Sequence, residues 1–213
     1  MSRYSEEEWK NEIVGQAKNI NKKGNLSEIV GMRAPFLATG GDAMLSMLYK
    51  NGFLYDSSIP SSETQPPLWP YTFDSAMPHR CYVSKCPKGY FPGVWEVPMT
   101  DYATKVYDGG RIGIGCSMYD ACLHPEDVDK IADIFYANFL LHYQSNRAPL
   151  LLSAHTAWYF VDRQRETALI KFIERVLKLG DVWFVSVKQA LQWMQSPTPV
   201  DQLGSFKPWR CDK

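Results

Sequence analysis

Three short segments hold the side chains best suited to chemistry. Arg33-Ala-Pro-Phe36 follows one apolar run, Tyr55-Asp-Ser-Ser58 follows a second, and His155-Thr-Ala-Trp158 directly follows Leu150-Leu-Leu-Ser-Ala154. Together they offer a guanidinium, a carboxylate and an imidazole, with an indole beside the last. In parallel β/α proteins the functional groups collect at the C-terminal ends of the strands. Arg33, Asp56 and His155 all stand at such positions, so one shared rim makes them a site candidate. Each also has a structural use when taken alone. Arg33 suits a surface salt bridge, Asp56 a turn, and His155 a hydrogen-bonded core position.

The cysteines carry a second signal. Cys81 and Cys86 are five apart, Cys116 and Cys122 six apart, and both pairs lie among Gly, Pro and polar residues. Short disulfides staple loops of this kind. A zinc reading of the four fits less well, because such ligands cluster in compact knuckles. Cys211 is left over, which places its partner on chain not present here. Met1-Ser-Arg-Tyr-Ser-Glu-Glu-Glu-Trp9 has no basic-then-apolar leader pattern. Taken alone this points to the cytosol, against the cysteines; a chain truncated at its N-terminus reconciles the two.

The elements that must position these residues follow from periodicity. Ser5 with Glu8 makes a capping box, after which Trp9, Ile13, Ala17 and Ile20 share a helical face that Gly24 and Asn25 end. Strands are expected over Ile29–Arg33, Phe53–Asp56, Val94–Met99, Leu150–Ala154 and Val182–Val187. The continuous apolar run of Leu150–Ala154 predicts burial on both faces. Helices are expected over Asp42–Lys50, from Pro125 onward with Val128, Ile131, Ala132, Phe135, Phe139 and Tyr143 as its stripe, over Thr167–Leu179, and over Lys188–Met194. Residues 57–92 read as irregular, broken by seven prolines from Pro60 to Pro92. The β/α alternation predicts an α/β fold with a parallel sheet wrapped by helices. Five strands are too few for a closed barrel, which again points to missing N-terminal chain.

Composition limits the partners. Lys plus Arg (23) equals Asp plus Glu (23) over 213 residues. No basic field draws in a phosphate backbone, so no nucleic-acid partner is expected. Apolar runs such as Pro149–Ala154 are far shorter than the ~20 residues of a bilayer span, so no membrane partner is expected either. The chain reads as a soluble monomer.

At this level of detail several segments resemble a known family. Ile29-Val-Gly-Met-Arg-Ala-Pro-Phe-Leu37, Tyr55-Asp-Ser-Ser-Ile59, Phe91-Pro-Gly-Val-Trp-Glu-Val-Pro-Met99 and Leu150-Leu-Leu-Ser-Ala-His-Thr-Ala-Trp158 are similar to the chitin deacetylases of arthropods and nematodes. So are Trp69-Pro-Tyr-Thr-Phe-Asp-Ser-Ala-Met-Pro-His-Arg-Cys81 and Trp209-Arg-Cys-Asp-Lys213. The segments fall in the family's order along nearly the whole chain. The resemblance implies a distorted (β/α) barrel of the polysaccharide deacetylase type, incomplete at its N-terminus. Residues 1–213 would then be the C-terminal portion of a single catalytic domain.

The same resemblance implies hydrolysis of the N-acetyl group of N-acetylglucosamine units in chitin or chitin oligosaccharides. A zinc ion would polarise the amide, and a carboxylate would take the proton of the attacking water. It implies that Arg33 orients that carboxylate, that the Phe36 N–H after Pro35 holds the oxyanion, and that His155 protonates the leaving amine. Asp56 would orient or tune His155, and Trp158 and Trp95 would stack on sugar rings. Trp95 in Val94-Trp-Glu-Val-Pro98 also has a plain core reading. The resemblance further implies secretion.

Two departures matter. The family's Thr-Phe-Asp-Asp motif supplies the base and one metal ligand, and it should precede Arg33. Thr72-Phe-Asp-Ser75 imitates it but lies downstream and ends in Ser75. The His-x-x-x-His motif supplies the other two ligands, yet His79, His124, His142 and His155 include no pair four apart. No zinc site and no activity are therefore expected of these 213 residues alone. The rival expectations are a non-catalytic chitin-binding protein and an unrelated cytosolic β/α enzyme with reduced cysteines.

Overall fold

The computed structural model describes residues 1–24, 28–61, 66–103, 105–107, 110–112, 115–122 and 125–210. They divide into two compact units: Met1–Thr64 with Leu68–Met99, and Gln65–Pro67 with Thr100–Lys213.

In the first unit, helix α1 (Glu6–Gly24) opens on the capping box. The Ser5 N–H donates to Glu8 Oε2 at 2.8 Å, and the Glu8 N–H donates back to Ser5 Oγ at 3.3 Å. Glu6, Glu7 and Glu8 in the first turn and Lys22 and Lys23 in the last complement the helix dipole. Trp9 is fully buried against helix α2 (Asp42–Lys50), whose Met44, Leu45, Met47 and Leu48 fill the core. Glu6 joins the two helices, accepting from Ser46 Oγ at 2.7 Å and from Lys50 Nζ at 2.8 Å.

The helices accompany a four-stranded sheet of β1 (Gly31–Met32), β2 (Tyr55–Asp56), β3 (Tyr71–Phe73) and β4 (Phe91–Glu96), in the order β1-β2-β4-β3. The first three in that order run parallel; β3 is antiparallel to β4. Register aligns Met32, Asp56, Glu96 and Tyr71 in one row, and Gly31, Tyr55, Trp95 and Thr72 in the next. Side chains alternate along a strand, so the two rows lie on opposite faces.

In the second unit, helix α3 (Val128–Tyr143) packs on helix α5 (Arg163–Leu177). Ile131, Ala132, Phe135 and Phe139 meet Ala168, Phe172 and Val176. The pairs Lys171–Asp129 and Arg175–Asp133 lie along the exposed edge. Asn138 clamps a loop with both ends of its amide, accepting the Ala103 N–H at 2.9 Å and donating to the Ala103 carbonyl at 2.8 Å. The unit also contains the hairpin of β5 (Lys105–Tyr107) and β6 (Gly110–Ile112), the short helix α4 (Thr156–Val161), helix α6 (Val187–Gln195) and 3-10 turns at Tyr119–Ala121, Val200–Ser205 and Lys207–Trp209.

Five sequence expectations are corrected. Leu150–Ala154 forms no strand: the Leu151 carbonyl and the Ser153 N–H bond the Tyr102 hydroxyl, and the Ser153 carbonyl accepts from the Tyr119 N–H. A strand needs a lateral neighbour, and among the described residues this run has none. The Val182–Val187 run is likewise unpaired before α6, and Trp183, Phe184 and Val185 are exposed. The stretch 57–92 contains β3, which the prolines hid because they flank it rather than enter it. Helix α3 starts at Val128, not Pro125, since Asp127 caps it by accepting the Lys130 N–H. Finally, α5 begins at Arg163 under an Asp162 cap, earlier than Thr167.

Both expected disulfides, Cys81–Cys86 and Cys116–Cys122, are formed. Cys211 lies outside the described residues. Thiol titration in denaturant should find one free thiol per chain, rising to five after reduction; five before reduction would contradict the two bonds. A second test concerns Gly40, where an added Cβ would land inside the fully buried Trp9 indole and 3.0 Å from the Met44 Cβ. Gly40→Ala should destabilise the first unit by about 1–3 kcal/mol, read from its urea midpoint.

Candidate functional site

The chain after β1 turns sharply. Pro35 sits at the start of a single 3-10 turn, Pro35–Leu37, in which Phe36 (φ 55°) and Leu37 (φ 53°) both adopt left-handed backbone. That conformation is strained for bulky side chains, and strain of this kind concentrates at functional sites. The Phe36 side chain is fully exposed. Among the described residues no acceptor takes its N–H, whereas Leu37 and Ala38 donate to Ala34 and Pro35.

Arg33 is anchored on the chain leaving β2. Its Nε donates to the Ser57 carbonyl at 2.7 Å and its Nη2 to Ser57 Oγ at 3.1 Å, while Ser57 Oγ donates to the Val97 carbonyl. Arg33 is thus part of a braced turn. Asp56 is completely buried; its Oδ1 accepts from Ser58 Oγ at 2.6 Å. Burial is the main cause that raises its pKa to about 6, opposed by the Ser58 hydrogen bond and by the Arg33 charge. The structure therefore brings Arg33 and Asp56 together. Trp95 stands half-buried on the opposite sheet face, in register with Tyr55.

In the second unit, His155 sits at the N-cap of α4 with its side chain largely exposed. Its carboxylate partner is Asp120. Oδ2 lies 2.7 Å from His155 Nδ1, and Oδ1 accepts the His155 N–H at 3.0 Å. This double grip fixes the ring plane, places the hydrogen on Nδ1 and leaves Nε2 free for proton exchange. Asp120 is itself held firmly. It belongs to the 3-10 turn Tyr119–Ala121, bracketed by the Cys116–Cys122 disulfide. The Tyr119 ring stacks on Phe135 at 3.7 Å between centroids.

The sequence reading missed Asp120 and gave the task of holding His155 to Asp56, whose carboxyl has partners of its own within the first unit. The available signal was an aspartate enclosed by two nearby cysteines. Trp158 is 6% exposed, set edge-on to Tyr119 and Tyr159 with the Arg165 guanidinium over its ring. Those contacts place the indole in the core of the second unit. The apparent Thr-Phe-Asp motif is structural: Thr72 and Phe73 lie in β3, and Asp74 accepts the Gly93 N–H.

The described residues do not fit a zinc ion. No three His, Cys, Asp or Glu side chains among them form a metal-binding cluster. His79 is engaged by Tyr71 and the Arg80 carbonyl, His142 by the Ala148 carbonyl and His155 by Asp120; His124 lies outside the described residues.

A mixed α/β chain with a strained turn after its first strand and a histidine held by an aspartate defines a candidate acid–base protein. Comparison with known proteins narrows the class. The chain is 35% identical to chitin deacetylase 1 of Bombyx mori over 210 residues, 96% of its own length and 39% of the relative's. It is 29% identical to chitin deacetylase 8 of Bombyx mori over 180 residues, 83% of its length and 46% of the relative's. No family model matches. The chain is a homologue of the chitin deacetylases and spans less than half the length of the curated relatives it matches.

Replacing Asp120 should release His155. In Asp120→Asn the slowly exchanging Nδ1–H proton resonance of His155 is expected to disappear or move upfield in NMR spectra. An unchanged resonance would show that Asp120 does not hold the ring.

Proposed function

We propose that this chain carries the proton-donating part of a chitin deacetylase. The observation that supports this most directly is the Asp120–His155 pair in a homologue of those enzymes. Deacetylation of an N-acetylglucosamine unit breaks the amide C–N bond, and the departing nitrogen must take a proton. His155, protonated at Nε2 and oriented through Nδ1, gives it. The Phe36 N–H, which no acceptor among the described residues takes, is the donor for the oxyanion formed when water adds to the carbonyl. Arg33 orients the carboxylate base, and Trp95 is the remaining indole for sugar stacking.

The complete fold is a distorted (β/α) barrel. The parallel order of β1, β2 and β4 supports it, as do the apolar runs at Leu150–Ala154 and Val182–Val187 that lack lateral partners among the described residues. Two disulfides and the named relatives favour an extracellular setting. No helix of the described residues is long and apolar enough to cross a membrane. The base and the metal ligands are not supplied by these 213 residues, which alone release no acetate.

Acetate release from N-acetylglucosamine oligomers tests the proposal. The purified chain should give none. Joined to the portion of Bombyx mori chitin deacetylase 1 that lies outside the match and supplied with zinc, it should give measurable turnover. In that chimera His155→Ala should lower kcat by about 10²–10⁴-fold. Acetate from the chain alone would refute its inactivity, and a chimera indifferent to His155→Ala would refute the acid role.

A further inference from the structure

A second carboxyl group lies beside Asp56, and the proposed reaction makes no use of it. Glu96, on β4, is the parallel register partner of Asp56 and is likewise completely buried. Parallel register sets the two carboxyls side by side on the same face of the sheet. Glu96 Oε1 accepts the Ile59 N–H at 3.0 Å, and Asp56 Oδ1 accepts from Ser58 Oγ. The other two oxygens, Asp56 Oδ2 and Glu96 Oε2, are buried and have no hydrogen-bond partner among the described residues.

Ionised carboxylates only accept, so two of them side by side in a dry interior repel and leave both oxygens unsatisfied. A hydrogen on one of the two removes both faults at once. We propose that Asp56 and Glu96 share a single proton, and that this proton holds the Arg33–Phe36 turn in place.

The link to the turn is a continuous chain of hydrogen bonds. The Ala34 N–H donates to Ser58 Oγ at 2.8 Å, and Ser58 donates onward to Asp56. Glu96 holds Ile59 on the same exit of β2. Glu96 is thus a positioning residue. It touches neither Arg33 nor Phe36 in this chain of contacts, yet it determines whether Asp56 can hold Ser58. With one proton, the pair carries a single negative charge, and the Arg33 cation acts on Asp56.

Among the described residues, the other titratable groups facing the pair do not offset a second charge. Tyr71 approaches from β3 and is kept protonated mainly by burial, then by the charges of Glu96 and Asp56. Its hydroxyl bonds His79, whose pKa burial lowers, and the Arg80 carbonyl holds the other ring nitrogen. The buried residues of α2, packed on β4, are Met44, Leu45, Met47 and Leu48.

The sign of the pH dependence follows. Burial raises both carboxyls above their ordinary range, and for Glu96 the charge of Asp56 adds to it. Protonated carboxyls therefore favour the fold. Their contribution is complete below the usual carboxylate range of about pH 4, and it falls as pH rises through the folded values. The first proton leaves before the second, because the second loss puts two charges in one dry site.

Infrared spectroscopy of the whole 213-residue chain tests this without reference to any substrate. At neutral pH the wild type should show the carbonyl stretch of one buried carboxylic acid. Glu96→Gln and Asp56→Asn, which replace the shared proton by an amide N–H, should each abolish the band while keeping the fold. Hydrogen exchange of the Ala34 amide, corrected for intrinsic base catalysis, should quicken at least tenfold at alkaline pH in the wild type and not in Glu96→Gln. Absence of the band from the wild type overturns the proposal whether or not the variants fold. A band that survives in both variants overturns it too, as does equal alkaline loosening of Ala34 in wild type and Glu96→Gln.

Discussion

Parallel pairing of Tyr55–Asp56 with Trp95–Glu96 sets two carboxyl groups side by side on the interior of a sheet. Water is excluded there, and unpaired charge in such a place costs several kcal/mol. The first unit is arranged around meeting that cost. Ser58 and Ile59 supply hydrogens from the exit of β2, the shared proton joins the remaining oxygens, and Arg33 supplies the opposite charge. Because Ser58 is also the acceptor for Ala34, the same network anchors the strained turn that leaves Phe36 exposed. The strain at Phe36 and Leu37 persists because both ends of the turn are tied down.

The second unit meets a different demand. His155 lies on a short helix near the surface, where a free imidazole would sample many orientations. Asp120 removes that freedom by gripping both the ring and the backbone. Its own position derives from the core, since Tyr119 is packed between Phe135 and Trp158. Trp158 thus contributes as a buried support beneath Tyr119. An aromatic stack is stiff and has little polar surface to satisfy, which makes it a good base for a single aspartate.

Features encoded by neighbours in sequence were legible beforehand. Ser5 and Glu8 are three residues apart and form their capping box with no help from the rest of the chain. Asp42–Lys50 carries its own apolar stripe and its own stop, and both disulfides close loops of only five and six residues. The homology too was visible in segments such as Arg33–Leu37 and Leu150–Trp158. Features that need a distant partner were not legible. Leu150–Ala154 has a strand's composition, yet no neighbouring strand meets it among the described residues. Glu96 reads as an ordinary polar position until register sets it against Asp56, and Asp120 is separated from His155 by thirty-five residues.

These points bear on how the chemistry is divided. Hydrolysis of an amide needs a base for the water, an acid for the amine and an electrophilic aid for the carbonyl. In this homologue the His155 ring, its aspartate and the supporting core lie in one unit. The buried carboxyls of the other unit are unsuited to be the base. They are shut from water, tied to Ser58 and Ile59, and occupied with their own proton. A base must reach solvent and accept a proton without upsetting the fold, whereas changing the protonation of Asp56 and Glu96 disturbs the turn they support. The two sets of acidic groups therefore differ: Asp120 fixes the orientation of an exposed imidazole, and Asp56 with Glu96 keep a proton still.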